Sequence, residues 1–371
     1  MIQELKFQPN FPRIVERFVA WWVGELIDRP PVSFWLGPNR VYSGPVSNHA
    51  TLRDRWFDAE FQVNAAIAGM EQQDFVGDSL PVFWPNMGPE VTGTLYGCEM
   101  EFGEDTSWSI PTVHNIEDWD RILKLAPNFQ NPYWQNVERL TDLAIQKCQG
   151  RYLVGLTDLH GTSDILAALR DPQELCTDLI DAPETVLRVG RHVRQGYLES
   201  FRRSYQKLAA AGFGSTTWCP MYHPGPAYVP SADFWCMLSP AMARQMILPD
   251  LLEEMAPLER SIFHLDGPTA LPHLDMVLYE LPRLNALQWV FGAGRGPARR
   301  WLDVYRRARA AGKSIQVVAD DLADALAVLD ALGPRGMWIT VASAVPSAAA
   351  GEAFLKEVER RTAKWAKAGK A

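Results

Sequence analysis

Eight short runs rich in β-branched and aromatic residues recur along the chain, and nearly all are followed by a longer stretch with helical periodicity. The runs cover residues 32–36, 81–85, 152–158, 215–220, 261–266, 286–291, 314–319 and 337–342. Helical spacing marks 52–72, 133–149, 183–211, 240–258, 297–311, 322–332 and 348–366. Strands that are apolar almost throughout must be covered on both faces, which points to a parallel sheet under helices. Their number points to closure into a (β/α)₈ or TIM barrel. An open doubly wound sheet would instead place a G-x-G-x-x-G turn after an early strand. Here Gly292, Gly294 and Gly296 form a lone glycine run late in the chain. The expectation is one barrel domain over residues 1–371, with 88–112 inserted above the carboxyl-end mouth.

Helix punctuation agrees. Pro183, Pro240 and Pro297 suit first helical turns, and Gly212, Gly312 and Gly333 stand where a helix ends left-handed. The basic, alanine-rich last helix is expected to fray over 364–371. A formal net charge of -8, from 36 basic and 44 acidic side chains, gives no footprint for nucleic acid. Five scattered cysteines without a C-x-x-C pair indicate neither a disulfide framework nor a zinc knuckle, which fits a reducing cytoplasm. Residues 1–12 have no signal-peptide pattern, and no apolar run approaches a membrane span.

In a barrel, the side chains that do chemistry gather at the carboxyl ends of the strands. That rule selects Asp158 and His160 after the third run, and His264 and Asp266 at the end of the fifth. Such pairs could supply nitrogen and oxygen ligands to zinc or another divalent ion, or form a hydrogen-bonded network without metal. Around the fourth run, Trp218, Tyr222, His223 and Asp233 could wall a flat pocket. Cys219 and Cys236 could be soft ligands or inert buried thiols. Gln288 and Trp289, followed by glycines 292 and 294, could face a ligand or an anion held at the next helix. Arg29 and Arg40 could clamp a carboxylate or form structural ion pairs. Asp78 precedes the second run, and Glu99, Glu101, Glu104 and Asp105 form an acidic cluster in the insertion.

The run Phe263-His264-Leu265-Asp266-Gly267-Pro268, together with Leu274-Asp275 and Leu287-Gln288-Trp289-Val290-Phe291-Gly292-Ala293-Gly294, resembles divergent members of the uroporphyrinogen decarboxylase superfamily. So do Glu25-Leu26-Ile27-Asp28-Arg29-Pro30 and Ser239-Pro240. The resemblance spans roughly residues 15 to 365 and implies the same barrel, in a superfamily of cofactor-free tetrapyrrole decarboxylases and zinc-dependent methyltransferases serving corrinoid proteins. It likens Asp78, in Gly77-Asp78-Ser79-Leu80-Pro81, to the decarboxylase's catalytic aspartate, and Asp233 to a substrate-binding position. The decarboxylase's arginine-rich loop and late-strand histidine have no counterpart, since residues 339–343 contain no histidine. In the methyltransferase branch a His-x-Cys pair holds zinc; here His264 is kept, Asp266 replaces the cysteine, and the last strand offers Ser343.

Three readings follow. The first is a metal-assisted methyltransferase, with His264 and Asp266 on zinc or a harder ion, joined by Asp158, His160 or Glu101, and a corrinoid-carrying partner protein. The second is a cofactor-free decarboxylase of an aromatic carboxylate, with Asp78 steadying a cation and Arg29 or Arg40 holding the carboxylate. The third is a non-catalytic binding barrel. In each the ligand is a small molecule and the chain a monomer or homodimer.

Overall fold

The computed structural model describes residues 4–368. Strands β1 (Val32–Leu36), β2 (Val82–Phe83), β3 (Glu99–Phe102), β4 (Ser107–Ile110), β5 (Leu153–Val154), β6 (Ala227–Tyr228), β7 (Arg260–Asp266), β8 (Ala286–Val290), β9 (Ser314–Ala319) and β10 (Met337–Val345) are interspersed with helices. Six of them make one curled parallel sheet in the order β1-β10-β9-β8-β7-β6, while β2 and β5 pair with each other in parallel. A backbone–backbone hydrogen bond spans each seam. Asp78 N–H donates to the Val32 carbonyl (2.7 Å) beside β1, and Leu156 N–H donates to the Thr216 carbonyl (2.8 Å) beyond β5.

The run at 215–220 is not a ladder strand. Ser215 pairs antiparallel with His223, and the excursion between them enters the space inside the sheet, where the Cys219 thiol approaches Gln288 and Gln316. Pro220 has no N–H to give a ladder, and the strand that pairs with β7 is β6, some ten residues later. The insertion at 88–112 folds as a turn of 3-10 helix, Pro89–Tyr96, and the antiparallel β3–β4 hairpin.

Helices cover the sheet, and two of the expected ones are broken for visible reasons. Residues 52–72 divide into Leu52–Phe57 and Ala59–Glu71, because Asp58 leaves the helical region and its carboxylate caps Phe61 N–H. Residues 240–258 divide into Pro240–Met246 and Leu248–Met255, with Pro249 supplying no N–H to the turn before it. Pro297 precedes a 3-10 turn, Ala298–Trp301, and the helix proper is Leu302–Ala310. Gly212, Gly312 and Gly333 all have positive φ, as a left-handed helix end requires. A Cβ on Gly333 would also lie 3.1 Å from the Trp365 ring. The last helix, Ala348–Lys367, includes the first four of the eight residues expected to fray; residues 369–371 lie outside the described residues.

Helix Phe11–Trp22 was not anticipated, although Phe11, Ile14, Val15, Phe18, Trp21 and Trp22 fall at helical spacing on one buried face. That face seals the amino ends of the strands. Phe18 and Trp21 meet Trp338 edge-on at 5.2 and 5.6 Å, and Trp22 donates its indole N–H to the Tyr222 carbonyl (2.9 Å). A cavity of about 680 Å³ lies beside the helix at this end, between Phe11, Tyr152, Phe213 and Tyr222. Among the described residues no helix is long and apolar enough to cross a membrane, and all five cysteines are free thiols.

Candidate functional site at the carboxyl ends

Beyond β5 the chain runs Thr157-Asp158-Leu159-His160-Gly161 into helix Thr162–Arg170. The buried Tyr228 hydroxyl pins this turn, accepting Leu159 N–H (2.6 Å) and donating to the Thr157 carbonyl (2.8 Å). Beyond β6, the backbone N–H groups of Asp233 and Phe234 donate to the buried carboxylate of Asp164 at 3.2 and 2.8 Å. These bonds bring Asp233 to His160, with 3.9 Å between Nε2 and Oδ2. His264 and Asp266 stand two residues apart on β7 and so share a face. The group therefore arrives from three separate segments: residues 158–164, Asp233 and β7.

The ionisations are interdependent. Burial raises the Asp158 carboxyl above the usual range, while His160 and His264 pull it back down. His160 loses some basicity to burial, but Asp158, then Asp164, Asp233 and Glu90, more than restore it, so its pKa lies above that of free histidine. Burial pushes Asp164 up to about 6 against the pull of His160. Asp266 is raised by burial and by Asp233, with His264 opposing. Ionisable groups displaced from their ordinary values and gathered in one place are the expected equipment of acid–base chemistry.

His264 anchors the interior side. Its Nδ1 is hydrogen-bonded to Gln288 Oε1, and the Trp218 ring meets it edge-on at 5.2 Å. The Trp218 indole N–H approaches Asp158 without reaching hydrogen-bond geometry, and it is a buried donor with no partner among the described residues. Trp218 and Gln288 therefore join the site. Trp289 does not: on the opposite face of β8, its ring packs against Trp301 at 5.2 Å.

Several sequence candidates lie elsewhere. Asp78 is fully buried beside Val32, at the amino end of β1, where it accepts Val32 N–H (2.8 Å), Arg17 Nη1 (2.9 Å) and Arg29 Nη1. Arg29 is consumed by that contact and the Pro30 carbonyl. Arg40 forms an exposed pair with Asp74 (2.6 Å). Tyr222 and His223 precede β6 and belong to the amino end. Tyr222 packs against Phe11, and His223 bonds Glu259 (3.1 Å). Glu101, on the hairpin, accepts the Trp108 indole N–H (3.2 Å).

Among the described residues no three His, Cys, Asp or Glu side chains are close enough to hold an ion together. His264 and Asp266 thus stand without the third protein ligand that the expected metal centre needs. The anion reading of the glycine run also fails. The N–H groups of Ala298 and Arg299 that would cradle a phosphate donate to the buried carboxylate of Asp324 at 2.7 and 3.1 Å. What the glycines border is a cavity of about 420 Å³ at the carboxyl ends of β8 to β10, lined by Val290, Phe291, Gly292, Gly294, Asp320 and Ala342. Val290 is the register partner of Asp266, so the cavity adjoins the histidine–carboxylate group.

Three functional candidates escaped the sequence reading. Asp164 sits on a helix, beyond the reach of a strand-end rule. Glu254 accepts both the N–H and hydroxyl of Thr162 at 2.6 and 2.5 Å, and burial raises it to about 7. Glu90, which adds to the field on His160, lies in the insertion. Only the proximity of Asp164 to His160 in sequence could have drawn notice.

No family model matches the chain, and no curated protein sequence matches it. A solved structure does. A methyltransferase from Methanosarcina mazei superposes with a TM-score of 0.62, covering 94% of this chain and 98% of its own, at 13% sequence identity. At that identity the likeness is one of fold, mixed α/β with a curled parallel sheet.

Proposed function

We propose that the β2–β5 pair completes the six-stranded sheet as a (β/α)₈ barrel, and that the chain is a methyltransferase-type enzyme acting on a small molecule at its carboxyl-end mouth. The observation carrying this reading is the convergence of His160, Asp158, Asp164, Asp233, His264 and Asp266, the last of them paired in register with Val290, which lines a cavity of about 420 Å³. The fold shared with a methyltransferase gives the reaction class its support.

When a methyl group leaves a heteroatom for a nucleophile, the carbon–heteroatom bond breaks and its electron pair stays on the heteroatom, which then requires a proton. The His160 imidazolium, its charge favoured by Asp158, is the donor in reach of the mouth. Asp158 keeps that proton in place, and Asp233 with Asp266 borders the entry. The acceptor is a nucleophile brought by a partner, a corrinoid carried on a second protein being the one the superfamily resemblance implies. Since no third ligand joins His264 and Asp266, no step passes through a metal.

The decarboxylase alternative required Asp78 with Arg29 or Arg40 at the substrate; Asp78 and Arg29 are locked together at the far end, and Arg40 pairs with Asp74. The test is methyl transfer from a panel of O-, N- and S-methylated small molecules to a free corrinoid acceptor held in its nucleophilic cobalt(I) state by an added chemical reductant, followed by the acceptor's absorbance. Transfer from at least one class is expected. Turnover of none, with carbon dioxide released from an aromatic carboxylate instead, would overturn the reading.

A further inference from the structure

Behind His264 lies a side-chain chain that neither the fold nor the proposed reaction requires. His264 Nδ1 meets Gln288 Oε1, Gln288 Nε2 donates to Gln316 Oε1 (2.8 Å), and Gln316 Nε2 donates to Thr340 Oγ1 (2.9 Å). These four residues stand on the consecutive strands β7, β8, β9 and β10, and the register sets His264 beside Gln288 and Gln288 beside Gln316. Both glutamines are buried, at 4% and 2% exposure. The Cys219 thiol, carried inward by the 215–223 excursion, closes the arrangement: its sulfur accepts from Gln288 Nε2 (3.4 Å) and its S–H donates to Gln316 Oε1 (3.5 Å). Burial raises that thiol to about 12, so it remains a neutral donor.

Two buried amides on adjacent strands are costly to keep unless each donor and acceptor is used. Here each amide gives its N–H groups in one direction and accepts from the other. An amide oxygen can only accept, so the ring nitrogen facing it must carry a hydrogen. A second-layer acceptor at one imidazole nitrogen decides which tautomer the ring adopts.

We propose that Gln288, held in orientation by Gln316, Thr340 and Cys219, is a positioning residue that fixes His264 as the Nδ1–H tautomer, so that Nε2 is the atom that takes up and gives away a proton. This deepens the acid–base reading of the same site and assigns His264 a role that needs no metal. The neutral histidine side chain in water favours the Nε2–H tautomer, so the outcome is not the default of the ring.

The test is long-range nitrogen–proton correlation spectroscopy of the nitrogen-15-labelled full chain near neutral pH, with His264 assigned through His264→Gln. The wild type is expected to show the Nδ1–H pattern, and Gln316→Leu to mix in the Nε2–H form. Gln288→Leu should make Nε2–H dominant and lower kcat roughly tenfold or more at unchanged KM. Gln288→Glu, which still accepts from Nδ1–H, should restore the wild-type tautomer. A wild-type spectrum with Nε2–H overturns the inference, as does a tautomer indifferent to Gln288→Leu in protein that folds. The spectrum reads the tautomer without any substrate, so failure of the methyl-transfer reading would leave it decided separately.

Discussion

His160→Gln lowers methyl transfer by about 10²–10⁴-fold, the usual contribution of a positioned general acid. Glutamine keeps much of the ring's bulk and a hydrogen-bond donor but has no proton to release. The side chain is mostly enclosed and lies 3.9 Å from Asp233, so little rearrangement accompanies the change. The fall should appear in kcat, because the proton is needed only as the bond to the leaving heteroatom breaks. Asp158→Asn should act in the same direction through His160, removing the first of the charges that raise its pKa. A rate for His160→Gln within twofold of wild type would remove the acid from this position.

The second large effect is on stability. Asp78→Asn costs about 3–5 kcal/mol of unfolding free energy, read from the denaturant midpoint, because it removes the buried counter-charge of the Arg29 guanidinium and leaves it only the exposed Glu359 at 3.6 Å. Asp78 is wholly buried and Arg29 is 4% exposed, so water cannot replace the lost partner. Arg17 loses its buried partner in the same step, although Asp28 still pairs with it at 2.8 Å. Arg40→Gln is the contrast. Its exposed pair with Asp74 is worth about 0–1 kcal/mol. Were Asp78→Asn to abolish activity with an unchanged midpoint, Asp78 would be a catalytic group after all.

Much of the fold is legible in the sequence because β7 to β10 are runs of apolar, often β-branched residues bounded by glycine, proline or charge, a pattern a doubly covered strand must have. The 215–220 run has the same composition for a different reason. Cys219 is buried and Trp218 half-buried inside the sheet rather than within it, and composition alone does not separate the two. The site is half legible. Residues that follow a parallel strand reach its carboxyl end, which placed Asp158, His160, Asp233, His264 and Asp266 together. Asp78, Tyr222 and His223 precede their strands and lie at the amino end; the family resemblance suggested the reverse for Asp78, and taking 215–220 as the fourth strand suggested it for Tyr222 and His223. Asp164 and Gln316 were out of reach because their importance rests on what they hold, Asp233 backbone and Gln288, and not on their own position in a strand-end motif.

The histidine–carboxylate group itself is tested most directly by titrating His160 in the folded chain by nuclear magnetic resonance. Burial lowers its basicity, but Asp158, Asp164, Asp233 and Glu90 outweigh burial. The imidazole is therefore expected to hold its proton above the free-histidine value of about 6.5, to fall back in Asp158→Asn, and to coincide with the alkaline limb on which activity declines as pH rises. A His160 pKa at or below 6.5, unmoved by Asp158→Asn, would contradict the assembled site.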